Sequence, residues 1–358
     1  MNYSHKEIEQ FVEKLFTAMG CSKSDASSVA EVLIAAELRG IPSHGLLRVK
    51  DYYAMVKAQR INTTPEVRIL HQTPSTATVD GGNALGPVAA KKSMQIAIEK
   101  AKTAGTGWVA TNNTNHFGIA GFYSLMALEH NMIGIALTNA NPLVAPTYSA
   151  DRLLGTNPIA VAIPTQNQPP FVADFATTPV ARGKLAIKSK LGQEIPVGLV
   201  QDKDGNPTTH PGAIEQGGAI LTLGGNGVAL GGHKGFCITA LVDIFSSVLS
   251  GANFGPFVPP QVAYLPVLQQ TVGKGLGHFF GAMRIDAFRS AEEFKLSMDD
   301  WIATFRNAKA AQNQAGVVIP GDPERESEAI KLKQGISIIP AILNDLNAIA
   351  SELKVRPL

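Results

Sequence analysis

Ile8, Phe11, Val12, Leu15, Phe16 and Met19 recur at three- and four-residue intervals behind Ser4-x-x-Glu7. That period lays one apolar stripe along a helix. The Ser/Glu pair caps its first turn, because both side chains satisfy N–H groups that a helix start leaves without partners. Gly20 supplies the stop. A second helix is expected over about 24–38, ending at Gly40. Ile41-Pro42 then breaks the chain, and Ser43 stands where the N-cap of a third helix belongs.

The middle of the chain changes period. Short apolar runs at 76–79, 108–111, 133–138, 159–163 and 171–173 are bounded by Gly, Pro, Asn and Asp, which reads as strands. Helices are expected between them at about 87–104 and 235–250. Residues 202–235 hold a polar loop and then a glycine-rich run from Gly217-Gly218 to Gly235. Helical spacing returns at Phe294, Met298, Trp301, Ile302 and Phe305 behind a second capping box, Ser290-x-x-Glu293. Pro323 and Pro340 suit first helical turns, where a missing N–H costs nothing. The pattern predicts helices at both ends around a sheet-containing centre. Residues 1–72 and 288–358 are expected to pack as one discontinuous helical unit, with 73–287 as the sheet unit.

Composition narrows the class. With 45% hydrophobic and 17% charged residues, 34 Gly and 22 Pro, the 358-residue chain reads as a compact enzyme with many tight turns. Its net charge of +2 is spread out, with no basic block, so nucleic acid is not an expected partner. Residues 1–10 are too polar for a signal peptide. The longest apolar stretch, 236–252, carries Asp243 and Ser246-Ser247 and is too short and polar for a membrane span. Cys21 and Cys237 read as buried free thiols of a reducing compartment. The expectation is a cytoplasmic protein without membrane contact.

Candidate chemistry begins with what is missing. Gly81–Gly86 has the wrong spacing for a Rossmann G-x-G-x-x-G, and neither Gly225-Asn226-Gly227 nor 273–277 fits; no Walker A motif occurs. Four segments remain. In Ser43-His44-Gly45-x-x-Arg48, a Ser43 cap would put His44 in the first turn and Arg48 and Tyr52 on one helix face. A guanidinium grips a 2-oxo acid's carboxylate at two points, and an imidazolium protonates its carbonyl; a surface cap with a solvated Arg fits the same spacing. Thr111–Gly118 ends a strand with amides, hydroxyls and His116, as a site or as an Asn-rich turn. Asp174 ends an apolar strand, where it could accept from a ribose hydroxyl, orient a histidine or cap a turn. Gly231-Gly232-His233-Lys234-Gly235 opens a helix and could hold an anion or merely flex. A metal could be shared by His44, His116, His233 and Asp174, but no metal-ligand spacing supports it; His5, His71, His130, His210 and His278 look incidental.

Taken together, Ser43–Arg48, Asn115–Gly118, 155–160, Asp174–Ala176, His233–Gly235 and 320–324 resemble, in order, the type-2 malate/L-lactate dehydrogenase family. The resemblance implies a non-Rossmann α/β fold with a mixed, largely antiparallel sheet flanked by helices and a helical domain from both chain ends. It also implies a homodimer that uses NAD or NADP. His44 and His116 match the acid/base positions and Arg48 the carboxylate ligand, with Ser43, Tyr52 and Asn141 beside the substrate. Ala140, Thr156, Asp174, Phe175, Ala176, His233, Lys234, Gly321, Asp322, Pro323 and Glu324 match cofactor contacts. Residues 240–260 and 277–286 look most like the malate dehydrogenase branch. The expected activity is the NAD(P)-dependent interconversion of a small 2-hydroxy acid and its 2-oxo acid, malate and oxaloacetate first. Other 2-oxo acids of the lactate, sulfolactate or ureidoglycolate type, or a cyclic imine carboxylate, are the alternatives. From other classes come a metal-dependent lyase or hydrolase and a non-catalytic nucleotide-binding protein.

Overall fold

A computed structural model of the chain describes residues 2–358. It opens with β1 (Asn2–Tyr3), α1 (His5–Ala18), α2 (Lys23–Leu38), α3 (Leu47–Lys57), β2 (Arg68–Gln72), β3 (Thr76–Asp80), α4 (Gly86–Ala104) and β4 (Thr106–Thr114). Next come α5 (Ala120–Leu125), β5 (Met132–Thr138), β6 (Ile159–Ile163), β7 (Phe171–Phe175), α6 (Arg182–Lys190), β8 (Val200–Gln201), β9 (Pro207–Thr208) and β10 (Ala219–Ile220). The chain ends with α7 (Gly232–Asp243), β11 (Leu276–Arg284), α8 (Ala291–Arg306), α9 (Asp322–Gln334), β12 (Ile336–Ser337) and α10 (Pro340–Glu352).

The main sheet has seven strands in the order β2-β3-β4-β11-β5-β6-β7. Only β3 and β4 run parallel, joined across α4 as a βαβ unit; the other neighbours are antiparallel. The sheet is therefore mixed and largely antiparallel, as the family resemblance implied. Its middle strand, β11, was not predicted. It is buried on both faces, so it lacks the in–out alternation that marks a strand, and Gly277 and Gly281 interrupt its apolar run. Those glycines are needed where they stand. A Cβ on Gly277 would lie 1.9 Å from the Ser246 carbonyl, and one on Gly281 would lie 2.4 Å from the Trp108 ring. The edge strand β2 was missed for the opposite reason, since all of its residues are exposed.

The capping boxes form as read: Ser4 accepts the Glu7 N–H at 3.2 Å and Ser290 that of Glu293 at 3.4 Å. Ile8, Phe11, Val12, Leu15 and Phe16 of α1 are buried, each stabilising the fold by about 1.5–3 kcal/mol. The helix predicted over 235–250 starts three residues earlier, at Gly232, and widens into a π-helix over Ile244–Val248. The two chain ends meet. β1 pairs with β12, Lys50 of α3 bonds Asp345 of α10 at 2.9 Å, and Arg39, just past α2, pairs with Glu328 of α9 at 3.5 Å. α8 turns elsewhere, with Asp299 accepting the N–H groups of residues 166–168 and Trp301 packed edge-on against Phe171. One thiol corrects the expectation. Cys21 is buried and burial pushes it up to about 12, but Cys237 is exposed, on the outer face of α7.

Candidate active site

Residues 42–44 form a short 3₁₀ turn, and α3 starts only at Leu47. Ser43 is therefore not the N-cap of α3, and His44 lies before the helix instead of in its first turn. The reason is in α2: Glu37 Oε1 accepts the Leu46 N–H at 2.8 Å, so this helix start has a carboxylate partner already. Ser43 is left to bond His44 Nδ1 at 2.9 Å through its hydroxyl and to accept Arg48 Nε at 2.9 Å through its carbonyl. Arg48 Nη1 also pairs with Asp51 at 3.0 Å. A two-point grip on a carboxylate consequently falls to the outer Nη1–Nη2 edge.

The second loop follows β4. Asn115 is a brace: its Nδ2 donates to Ala84 O at 2.8 Å and Asn83 Oδ1 at 3.1 Å. The His116 N–H donates to Gln261 Oε1 at 2.7 Å. Gly118 has φ +81°, and a Cβ there would come within 2.5 Å of Val32, so only glycine lets the loop settle on α2. Phe117 stacks on the buried His278 ring at 4.6 Å.

These loops bring His44 and His116 together, their rings stacked at 5.4 Å with planes 26° apart. Tyr52, buried on α3 one turn beyond Arg48, places its hydroxyl 2.8 Å from His116 Nδ1 and donates to the His116 carbonyl at 3.2 Å. Where that hydroxyl accepts from Nδ1–H, Nε2 keeps a free lone pair, the form a base needs. The Gly118 N–H lies 3.4 Å from Nδ1 and bonds it only in the other tautomer, where Nδ1 carries no proton. Burial, then the Arg48 charge, pushes His44 down to about 4. Burial, followed by Arg48, His44 and His278, holds His116 well below the ordinary histidine range. Near neutrality both imidazoles are uncharged.

The other polar segments lie along the edge that continues from this loop. Asp174 Oδ2 accepts the Gly121 N–H at 2.8 Å, tying the end of β7 to the start of α5. Burial raises Asp174 to about 6, with Glu324 adding to the rise and Arg39 opposing it. Residues 319–324 run beside β7, where Val172 N donates to Pro320 O at 3.1 Å, and this carries Gly321 to Glu324 toward Asp174. Pro323 sits in the first turn of α9. The Asp322 carboxylate is already engaged by Arg306 at 2.7 Å, Arg325 at 2.5 Å and the Ile319 N–H at 3.2 Å. Its own side chain is thus a turn lock. Phe175 is exposed and Ala176 half-buried. Thr156 O accepts the Thr177 N–H at 2.9 Å, and the Ala140 N–H donates to Asn157 Oδ1 at 3.1 Å, with Asn141 half-buried beside it.

The end of the glycine run packs closely on neighbouring backbone. A Cβ on Gly232 or Gly235 would lie 2.0 Å from the carbonyl of Gly225 or Leu223, and Leu223 N donates to Thr177 O at 3.1 Å. A cleft of about 460 Å³ opens here, lined by Leu223, Leu230, His233, Lys234 and Ile238 among others. His233 Nδ1 is buried with no partner, an orphan that a bound polar group would satisfy. A dinucleotide, with its many acceptor oxygens, suits that donor set.

The malate/L-lactate dehydrogenase family profile matches residues 3–347. The chain belongs to this family. A malate dehydrogenase of Pyrococcus abyssi is 41% identical over 352 residues, covering 98% of this chain and 95% of the relative. A malate/(S)-sulfolactate dehydrogenase of Methanothermus fervidus is 36% identical over 356 residues, with 99% of each chain covered. The solved malate dehydrogenase of Pyrococcus horikoshii superposes with a TM-score of 0.90 at 38% identity, over 100% of this chain and 97% of that one. The protein is thus a dehydrogenase of the malate/L-lactate dehydrogenase family, and the family's chemistry calls for a nicotinamide cofactor.

In this family member, sequence spacing overlooked Glu37, Gln261 and His278, which support the two histidine loops from outside them. The one available signal was for His278: it lies in an apolar run, where a histidine is rarely left without a task. Among the described residues, no group of three or more His, Cys, Asp or Glu is placed to hold a metal ion, and no helix is long and apolar enough to cross a membrane.

Proposed function

We propose that this dehydrogenase interconverts a small 2-hydroxy acid and its 2-oxo acid, with malate and oxaloacetate as the preferred pair. The observation that carries the reading is the stacked His44–His116 pair beside Arg48, with Tyr52 on His116 Nδ1. Bound nicotinamide supplies or takes the hydride. Arg48 holds the substrate carboxylate through its outer edge, and Ser43 and Asn141 flank it. His116 Nε2 takes the hydroxyl proton in oxidation and returns it in reduction, with Tyr52 fixing the tautomer. His44 packs against that ring and orients the carbonyl. A carboxylate that neutralises Arg48 removes one of the charges that, after burial, hold both histidines down, and so favours the protonated imidazole that reduction needs.

Cofactor contacts are assigned to Ala140, Thr156, Asp174 to Ala176, His233, Lys234 and residues 321–324, with Asp322 acting through the turn it locks. NAD is the preferred form, since Asp174 and Glu324 would repel a 2′-phosphate placed near them. The test is purified protein with oxaloacetate, pyruvate, sulfopyruvate and pyrroline-2-carboxylate, each with NADH and NADPH. Absence of any change in nicotinamide absorbance across that panel sinks the reading. Turnover of the cyclic imine alone replaces the oxo acid as substrate.

The protein is further proposed to be a homodimer. Ile238, Leu241, Phe245 and Val248 make an exposed apolar strip along α7 and its π-turn, the surface a second copy would cover. Leu241→Asp should shift the sedimenting species from dimer to monomer.

A further inference from the structure

Glu37 stands in the last turn of α2 and is 5% exposed. Its Oε1 accepts the Leu46 N–H at 2.8 Å, nine residues along the chain. In a capping box the N-cap N–H is accepted by a Glu or Gln at the third helical position; here that position is Val49, and a carboxylate from another helix takes the role. The same oxygen lies 2.3 Å from where a Cβ on residue 45 would fall. Gly45 is glycine because Glu37 occupies that space. Gly45 and Leu46 are the pivot between His44 and Arg48, so one buried carboxylate sets both the turn that presents the imidazole and the first turn that presents the guanidinium.

The backbone of Glu37 is itself clamped. Lys331 Nζ donates to Glu37 O at 2.5 Å and Ser327 Oγ to Leu38 O at 2.9 Å, both from α9. A buried carboxylate is an expensive cap, because burial penalises its charge. A Glu or Gln at position 49, three residues past this N-cap, would accept the same N–H from within α3. What Glu37 does that a local cap would not is fix the pivot from below, on a helix anchored to α9.

We propose that Glu37 is a positioning residue for the dehydrogenase reaction, holding His44 and Arg48 at the separation that the oxo acid's carbonyl and carboxylate require. The inference rests on the oxo-acid reading of the site. It makes the acceptor atom, not the charge, the required feature.

The experiment compares E37A and E37Q in the full-length enzyme, alone and with G45A. E37A should lower kcat/KM for the oxo acid by about 10²-fold, the scale of loss expected from a displacement near 1 Å. Its affinity for NADH, read by cofactor fluorescence, should stay within about twofold of wild type, a change of under ~0.5 kcal/mol. E37Q keeps an acceptor oxygen and should recover most of the loss. Amide hydrogen exchange over residues 42–48 should speed up in E37A and not in E37Q. G45A should impair the wild type but add little to E37A, where the clashing oxygen is gone. Wild-type kinetics and exchange in E37A would overturn the proposal. So would an E37Q as impaired as E37A, or an E37A that loses NADH affinity to the same degree as oxo-acid turnover. Should the wild type turn over no oxo acid, the substrate reading fails, while the exchange data still decide whether Glu37 holds the pivot.

Discussion

At residue 52 a single hydroxyl serves two atoms of one histidine, and its removal is the most direct test of the proton path. Tyr52→Phe keeps the buried ring but frees His116 Nδ1. It should lower kcat by about 10²-fold with little change in oxo-acid KM, since orientation of a proton-transfer group acts on the chemical step. Steady-state kinetics in both directions read this. The pH dependence follows from the same residues. Oxidation needs a neutral imidazole, and in the free enzyme His44 sits at about 4 with His116 well down. kcat/KM for the hydroxy acid should therefore have its acid limb well below the ordinary histidine range and stay level from there to neutrality. An acid limb centred near pH 7 would contradict the assignment. His44, Arg48 and Tyr52 were legible as candidates because they share one short motif and one expected helix face, and His116 because it closes a run of amides and hydroxyls at a strand end. The Ser43 cap was misread because the true partner of the Leu46 N–H comes from a different helix. No local spacing carries that information.

Elements were legible in proportion to how one-sided their burial is. α1, with a single apolar stripe, was readable to within a residue, and β6 was read over its full span. β11 was invisible because both of its faces are covered, and β2 because neither is. The glycines of β11 make a testable point about packing between strands. Gly281 is opposite Trp108 on β4, and a Cβ would enter its ring. Gly281→Ala should destabilise by about 1–3 kcal/mol, the usual cost of overpacking, and thermal unfolding should show it. Trp108→Leu should recover part of the loss in the double variant and little or nothing alone in the Gly281 background. If the two substitutions are additive, the glycine is there for another reason.

For the whole molecule, the buried titratable groups pull stability in opposite directions as pH falls. His278 is held down to about 3 by burial, and His44 to about 4. The unfolded chain takes up those protons near pH ~6.5. Their contribution is thus intact above that pH and is lost as pH falls toward 4, at up to about 1.4 kcal/mol per pH unit for each group. Asp174 and Asp243 are raised to about 6 by burial. The native state binds their protons more tightly than the unfolded chain does, so their contribution grows as pH falls from 6 to 4. The opposing terms should flatten the acid limb of stability. Asp243→Asn removes one compensating group and should make Tm fall more steeply between pH 6 and 4; an unchanged slope would remove Asp243 from the balance.

The place of β11 also has a consequence for biosynthesis. Its neighbours β4 and β5 are separated by fewer than twenty residues of chain, yet neither pairs with the other; each waits for a strand encoded at 276–284. A ribosome that has released the first 270 residues has therefore produced two open edges flanking a missing centre. Edges of that kind invite pairing with other chains. The nascent protein must be shielded until the last quarter emerges, and a chain truncated before Leu276 should collect in the insoluble fraction instead of folding as a smaller domain.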